Sequence, residues 1–280
     1  MNFSTNNHRL VELLGKHKRS NNFFMSKKLK NTLLIAVLIF SSFFTHAQEE
    51  KSYQAYWIHE DRVKPAMVQE YEQIAKDLVA ACTEHNIQDA TWLTVAQDDN
   101  TYLYVTPIEK FADLDANTFS TLAEKMGKDK MSALFERFNP CYDEHGDYIV
   151  YLNKELSYMP GGISQTTEGK PYRTFYYNYV TPSNNKNFIA AIKKIKEVFT
   201  KKNSKLDYRV YKTGFGVMGT YYMVVISGVN AEEIAKAGNE NWELMKDDFK
   251  PLLTEMSKYT WKNDEKTGWM RGDLSYVPKK

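Results

Sequence analysis

Apolar residues recur at Met67, Tyr71, Ile74 and Leu78, and again at Phe188, Ile192, Ile195 and Phe199. Both stripes step by four, three and four, which lines one face of an α-helix. Around them lie short runs rich in aromatic and β-branched residues, with the alternation of strands. In the first half these are Tyr53–Glu60, Thr91–Ala96, Tyr102–Thr106 and Asp147–Leu152; in the second they are 172–180, 207–213, 220–227 and a run from Trp269 onward. Pro65 suits the first position of a helix reaching about His85. Further helices are expected over 113–138, broken near Gly127, and over 184–202 and 231–259. Asp98-Asp99-Asn100 and the surroundings of Gly219 carry turn chemistry.

The pattern runs twice. LSYMP at 156–160 returns as LSYVP at 274–278, an offset of 118. Met131, Leu134, Phe135 and Phe138 return at the same offset as Phe249, Leu252, Leu253 and Met256. Thr101-Tyr102 returns as Thr220-Tyr221, Tyr53 with Tyr56-Trp57 as Tyr172 with Phe175-Tyr176, and the helical stripes are 121 apart. An ordered series at nearly constant offset reads as a tandem duplication, with small drifts from loop insertions. Each copy has the order β-α-β-β-α-β, the split βαβ unit of ferredoxin-like folds, whose sheet has one bare face. Two copies, 52–160 and 172–280 around a linker at 161–171, can cover each other sheet to sheet. The expected fold is therefore α+β: two tandem ferredoxin-like units closing an intramolecular barrel, a monomer with an internal pseudo-dimer.

The N-terminal stretch belongs to neither copy. Met25-Ser-Lys-Lys-Leu-Lys-Asn is a basic lead, Leu33 to Phe44 a short apolar run, and Thr45-His46-Ala47 offers small residues for cleavage. That layout is a secretory signal peptide over 25–47, with an uncleaved anchor as the alternative. No Cys follows it to carry a lipid. Residues 1–24 read as a dispensable lead, with Met25 as the working start. Cleavage near Ala47 gives an exported protein, periplasmic or extracellular, with no permanent membrane span. Residues 1–47 hold seven of the 37 basic residues and one of the 35 acidic ones, leaving 30 against 34. A mildly acidic remainder is a poor partner for nucleic acid. Two cysteines, Cys82 and Cys141, do not make a disulfide scaffold, and helices of opposite direction should keep them apart.

At this level the chain resembles the dimeric α+β barrel superfamily, which includes NIPSNAP-type and antibiotic-biosynthesis-monooxygenase-like proteins. The resemblance covers about 52–280. It rests on the repeated strand order and on YWIHEDRVKPAMVQEYEQIAKDL at 56–78, an aromatic strand entering a helix through Val-Lys-Pro. It implies a fold shared by haem-degrading oxygenases, cofactor-free monooxygenases and proteins of no known activity, so fold alone decides little.

Strand parity sorts the candidate site. Leu93, Val95, Leu103 and Val105 are apolar, and with Tyr56 and Ile58 they are expected beneath the helices. Trp57, His59, Trp92, Tyr102 and Tyr104 then face the space between the sheets, joined by Tyr176 and Asn178 from the second copy. Aromatic walls with a few polar tips either fill the barrel or line a pocket for a small apolar or aromatic ligand. His59 reads as a hydrogen-bonded strand-end histidine beside Glu60 and Asp61, or as a general base; the resemblance adds axial ligation of haem. His59, His85 and His145 sit in different elements without ligand spacing, so no metal site is expected. Arg271-Gly272-Asp273 reads as a charged turn rather than an adhesion signal. The residues call for no resident cofactor; haem is the alternative from the resemblance. The leading expectation is a non-catalytic binding module for a small apolar ligand. The alternatives are a cofactor-free or haem-dependent monooxygenase-like enzyme using His59, and a structural or interaction domain with a filled barrel.

Overall fold

A computed structural model describes residues 52–279. The signal peptide, its cleavage site and the lead expected over 1–47 lie outside the described residues. Eight strands close an antiparallel barrel in the order β1-β3-β2-β8-β5-β7-β6-β4. They are β1 Tyr53–Val63, β2 Leu93–Gln97, β3 Thr101–Ile108, β4 Tyr142–Asn153, β5 Tyr172–Val180, β6 Arg209–Thr213, β7 Thr220–Gly228 and β8 Thr260–Met270. Five helices pack outside: α1 Val68–Glu84, α2 Ser120–Met126, α3 Lys128–Glu136, α4 Asn185–Lys201 and α5 Ala231–Ser257. The first four strands run β4-β1-β3-β2 and the last four β8-β5-β7-β6, the same order in each half.

The helical stripes do what their spacing predicts. Tyr71, Ile74 and Leu78 of α1 are buried, as are Phe188, Ile192, Ile195 and Phe199 of α4. Each such side chain stabilises the fold by about 1.5–3 kcal/mol when removed from water. The break expected in 113–138 falls at Gly127, whose φ of 95° separates α2 from α3. Only glycine takes that backbone without steric cost. The last strand differs from expectation: it begins at Thr260, nine residues before Trp269, and LSYVP trails behind it.

The repeated LSY segments clasp the two seams where the halves meet. Each seam has a short register: Val95 to Gln97 opposite Met270 to Gly268, and Val150 to Leu152 opposite Thr213 to Tyr211. Tyr158 bridges to Tyr208 just before β6, and Tyr276 bridges to Trp92 just before β2. Ser157 Oγ accepts the N–H of Val210, and Ser275 Oγ accepts that of Thr94. Leu156 and Leu274 are fully buried. Each tail thus continues a seam that β pairing alone leaves three residues long. At one seam a side chain on Gly268 would press within 2.5 Å of the Ala96 carbonyl, so strand approach requires glycine there.

The parity assignment is inverted. Tyr56, Ile58, Val95, Leu103, Val150, Leu152, Phe175, Tyr211 and Val225 form the core inside the barrel. Leu93 and Val105 also face inward, beside a remaining interior space of only about 60 Å³. Trp92, Tyr102 and Tyr104 instead belong to the core beneath the helices of the first half. In a closed barrel covered by helices both sheet faces are buried, so apolarity does not distinguish inside from outside. Arg173 and Arg209 also lie buried at the lower-numbered ends of β5 and β6. Their guanidinium groups donate to the carbonyls of Ser164, Gln165 and Lys170, which ties down the linker.

Candidate functional site

Strand register assembles the site from three neighbouring strands. Across β3-β1-β4, Tyr104, His59 and Asp147 form one row and Tyr102, Asp61 and His145 the next. Trp57, His59 and Asp61 alternate along β1, so all three emerge on one face. That face lies under α1 and α3, where a cavity of about 400 Å³ remains. Trp57, His59, Trp92 and Tyr104 all line it, with Phe119, Phe135, Phe138 and Leu78 on the helical side. Four of the seven expected residues therefore meet in one cavity, on the opposite side of the sheet from the one expected. Tyr102 turns away to donate to Glu72 Oε1 at 2.7 Å. Tyr176 and Asn178 lie in the second half; Asn178 donates to the carbonyls of Tyr176 and Tyr222 and is no part of this cavity.

The cavity is mostly apolar, and its carboxylates gather at one corner. There His59 lies between two carboxylates, with Nδ1 2.9 Å from Asp147 Oδ1 and Nε2 3.2 Å from Asp61 Oδ1. Trp57 Nε1 donates to the same Asp147 oxygen at 3.0 Å. Tyr71 donates to Asp61 Oδ2 at 2.6 Å, and lies 2.8 Å from the Tyr104 hydroxyl. Because the Tyr71 proton is committed to the carboxylate, Tyr104 is the donor of that second bond. Burial pushes both phenols up, so they remain donors at neutral pH. Asp61 is 4% exposed, and its Oδ1 accepts no hydrogen bond.

Burial alone would lower the basicity of His59, but Asp61 and Asp147 outweigh it and raise its pKa to about 9. The sign of the linkage follows. A cation favoured in the folded state stabilises most below the ordinary pKa of 6.5, and the contribution fades as pH rises through 9. Between pH 6 and 9.5 the protein is expected to lose about 1–2 kcal/mol more stability than His59→Gln, after allowance for partial exposure. Asp61, Asp147, His145 and Tyr104 are the groups facing the ring. Denaturant unfolding of both proteins at the two pH values measures the difference; equal losses would refute the charge assignment.

The sequence reading misses Asp61, His145 and Asp147. His145 belongs to β4, which begins five residues before the expected strand, and its ring centroid lies 5.7 Å from that of His59. The two histidines are therefore not scattered, contrary to expectation, and ligand atoms of His59, Asp61 and His145 all fall within 4.8 Å of one another. Asp61 was available from parity, as the next outward residue after Trp57 and His59. Haem ligation by His59 does not fit these residues as they stand: Nδ1 is held by Asp147 and Nε2 faces Asp61 at 3.2 Å, so an ion reached through Nε2 would also meet the Asp61 carboxylate. Cys82 and Cys141 are both free and buried in the core cluster of the first half. Arg271 pairs with Glu72 and Asp273, so the Arg-Gly-Asp turn is bound to α1.

No protein-family model and no curated protein sequence matches the chain. Solved structures match in fold. An "anthrone oxidase-like protein" shares 11% identity over 79% of this chain and 92% of its own, with a TM-score of 0.53. Two proteins carry the name "putative monooxygenase". The one from Lactobacillus acidophilus NCFM shares 11% identity over 81% and 97%, with a TM-score of 0.50. The one from Fusobacterium nucleatum shares 13% over 81% and 98%, with a TM-score of 0.49. The chain thus shares the α+β barrel fold of the two structures with TM-scores of 0.53 and 0.50. This corrects the expectation of a non-catalytic binding module: the barrels similar to this one bear enzyme names.

Proposed function

We propose that the protein is an oxygen-consuming enzyme of monooxygenase type, acting on a small, flat, aromatic substrate held in the cavity beneath α1 and α3. The observation that carries this reading is the charged corner, His59–Asp61–Asp147, set in a mostly apolar pocket of about 400 Å³. A filled barrel on its own would suit a scaffold, but a scaffold has no need of a histidine held between two carboxylates at the edge of a cavity. The names of the similar barrels support the same class of chemistry.

In the proposed reaction Trp57, Trp92, Phe119 and Phe138 clamp the ring system. Asp61 Oδ1 takes a proton from an acidic C–H of the substrate. His59, already bridging to Asp147, relays the charge outward, since the Asp147 side chain is half exposed while that of Asp61 is buried. The carbanion reduces O2 directly. For a methylene between two aryl groups the sum is CH2 + O2 → C=O + H2O, which places both oxygen atoms and needs no outside reductant. The NIPSNAP-type kinship of segment 56–78, the origin of the halves by tandem duplication, and export after cleavage near Ala47 are further parts of this proposal; the two LSY clasps with equivalent contacts support the duplication.

The test is an oxygen electrode, with anthrone as the probe substrate and the full chain as the protein. Oxygen uptake equal to the anthrone consumed, reduced at least about tenfold in His59→Ala, is the expected result. Uptake no faster than the spontaneous background, across anthrone and related diaryl methylenes, would remove the reading.

A further inference from the structure

We propose that His59 Nε2, Asp61 Oδ1 and an imidazole nitrogen of His145 bind one divalent first-row transition ion, of the class of Fe2+, Co2+ and Zn2+. This deepens the reading above, on which it rests for the substrate side of the site.

Four observations converge. The ligand atoms of these three side chains lie within 4.8 Å of one another, drawn from facing positions of β1 and β4. The separation of His59 Nε2 from Asp61 Oδ1 is 3.2 Å. Two donors on one ion at about 2.0–2.2 Å stand roughly 3.0–3.5 Å apart, so this pair already has the spacing of neighbouring ligands. Asp61 Oδ1 is buried, makes no hydrogen bond and meets only the His59 ring, whereas Oδ2 is occupied by Tyr71. A carboxylate anchored by a phenol through one oxygen holds the other in a fixed direction, here toward the second ligand, His59. Finally, Asp147 stands behind His59 Nδ1 at 2.9 Å, and is itself held by Trp57. A carboxylate behind one ring nitrogen keeps the proton there and turns the other nitrogen toward an ion.

The donor set fixes the class of ion. Two imidazoles and one carboxylate suit first-row transition metals; calcium and magnesium prefer oxygen throughout. Three protein ligands leave positions open, and here the open side is the apolar cavity. His145 is exposed, so its ring can close onto the ion without rebuilding the core. Ion binding displaces the proton between His59 and Asp61, which makes the base and the ligand alternative states of one pair.

The tag-free full chain is stripped with chelator and titrated with Co2+ alone. The readouts are visible d–d absorption and the shift in melting temperature. The expected result is one Co2+ per chain. Affinity should fall by about 10–100-fold in Asp147→Asn, behind the ligand, and by more in His145→Ala and Asp61→Asn. His85→Ala, at the end of α1, should bind as the parent does. Absence of a saturable 1:1 phase, or equal affinity in His145→Ala, overturns the site. Because His145 is exposed, that variant remains decisive even where Asp61→Asn fails to fold. Saturable Co2+ binding without oxygen uptake upholds the ion site and removes the oxidase reading. Oxygen uptake unaffected by chelator, with no Co2+ phase, overturns the ion site and leaves that reading standing.

Discussion

Asp61→Asn lowers kcat/KM for oxygen uptake by about 10²–10⁴-fold, the range for loss of a positioned acid–base group. This corresponds to about 3–5 kcal/mol of barrier. Asparagine has nearly the shape of aspartate, and its amide oxygen can still accept from Tyr71. What it lacks is the negative charge facing His59 at 3.2 Å and the capacity to take a proton. Two outcomes are separable. Removing one partner of a half-buried ion pair also destabilises, so melting temperature should fall modestly while activity collapses. Tyr71→Phe is the companion variant. It deletes the donor to Asp61 Oδ2 but leaves the ring against Tyr102 and Phe138, with centroids at 4.7 and 5.3 Å. A positioning role predicts a smaller loss there, about tenfold, with a changed pH profile. If Asp61→Asn keeps more than half of the parent rate, the polar corner is not the reacting centre.

The reason this corner was only partly visible in the sequence lies in register. Helical stripes are local: Tyr71, Ile74 and Leu78 announce their face within eight residues. Strand alternation is local too, and it correctly groups Trp57 with His59 and Trp92 with Tyr104. It cannot say which side of the sheet a group occupies once both sides are buried, and here the purely apolar set went inward. A histidine–carboxylate cluster is harder still. His59 and Asp147 are 88 residues apart, and their contact depends on β1 and β4 pairing in one register among many. One residue of slip would turn Asp147 and His145 to the other face. The LSY repeat was legible as a repeat, but its work at the seams emerges only from barrel closure.

Those seams carry the second large effect. Leu274→Ala is expected to cost about 2–5 kcal/mol, the usual range for a fully buried leucine. For a domain of this size that lowers the melting temperature by roughly 5–15 °C. Leu274 lies in the tail that carries Trp92 and Thr94 of the other half: its carbonyl accepts from Trp92 Nε1 at 2.8 Å and Thr94 Oγ1 at 2.7 Å. Truncation leaves a void beneath α1 beside a seam only three residues long, which has little redundancy to absorb it. Leu156→Ala should cost a similar amount at the other seam, and Val277→Ala, exposed in the same tail, almost nothing. The two seams stand half the circumference apart in strand order. Sites so separated should add to within about 0.5 kcal/mol, provided the barrel unfolds as one unit. Differential scanning calorimetry of the two single variants and the double reads both quantities. A single sharp transition with additive losses means that each half depends on the other for its stability. Two transitions in the double variant would mean that a half-barrel survives alone, with the apolar face inside it open to water. A loss below about 1 kcal/mol in Leu274→Ala would refute the clasp itself.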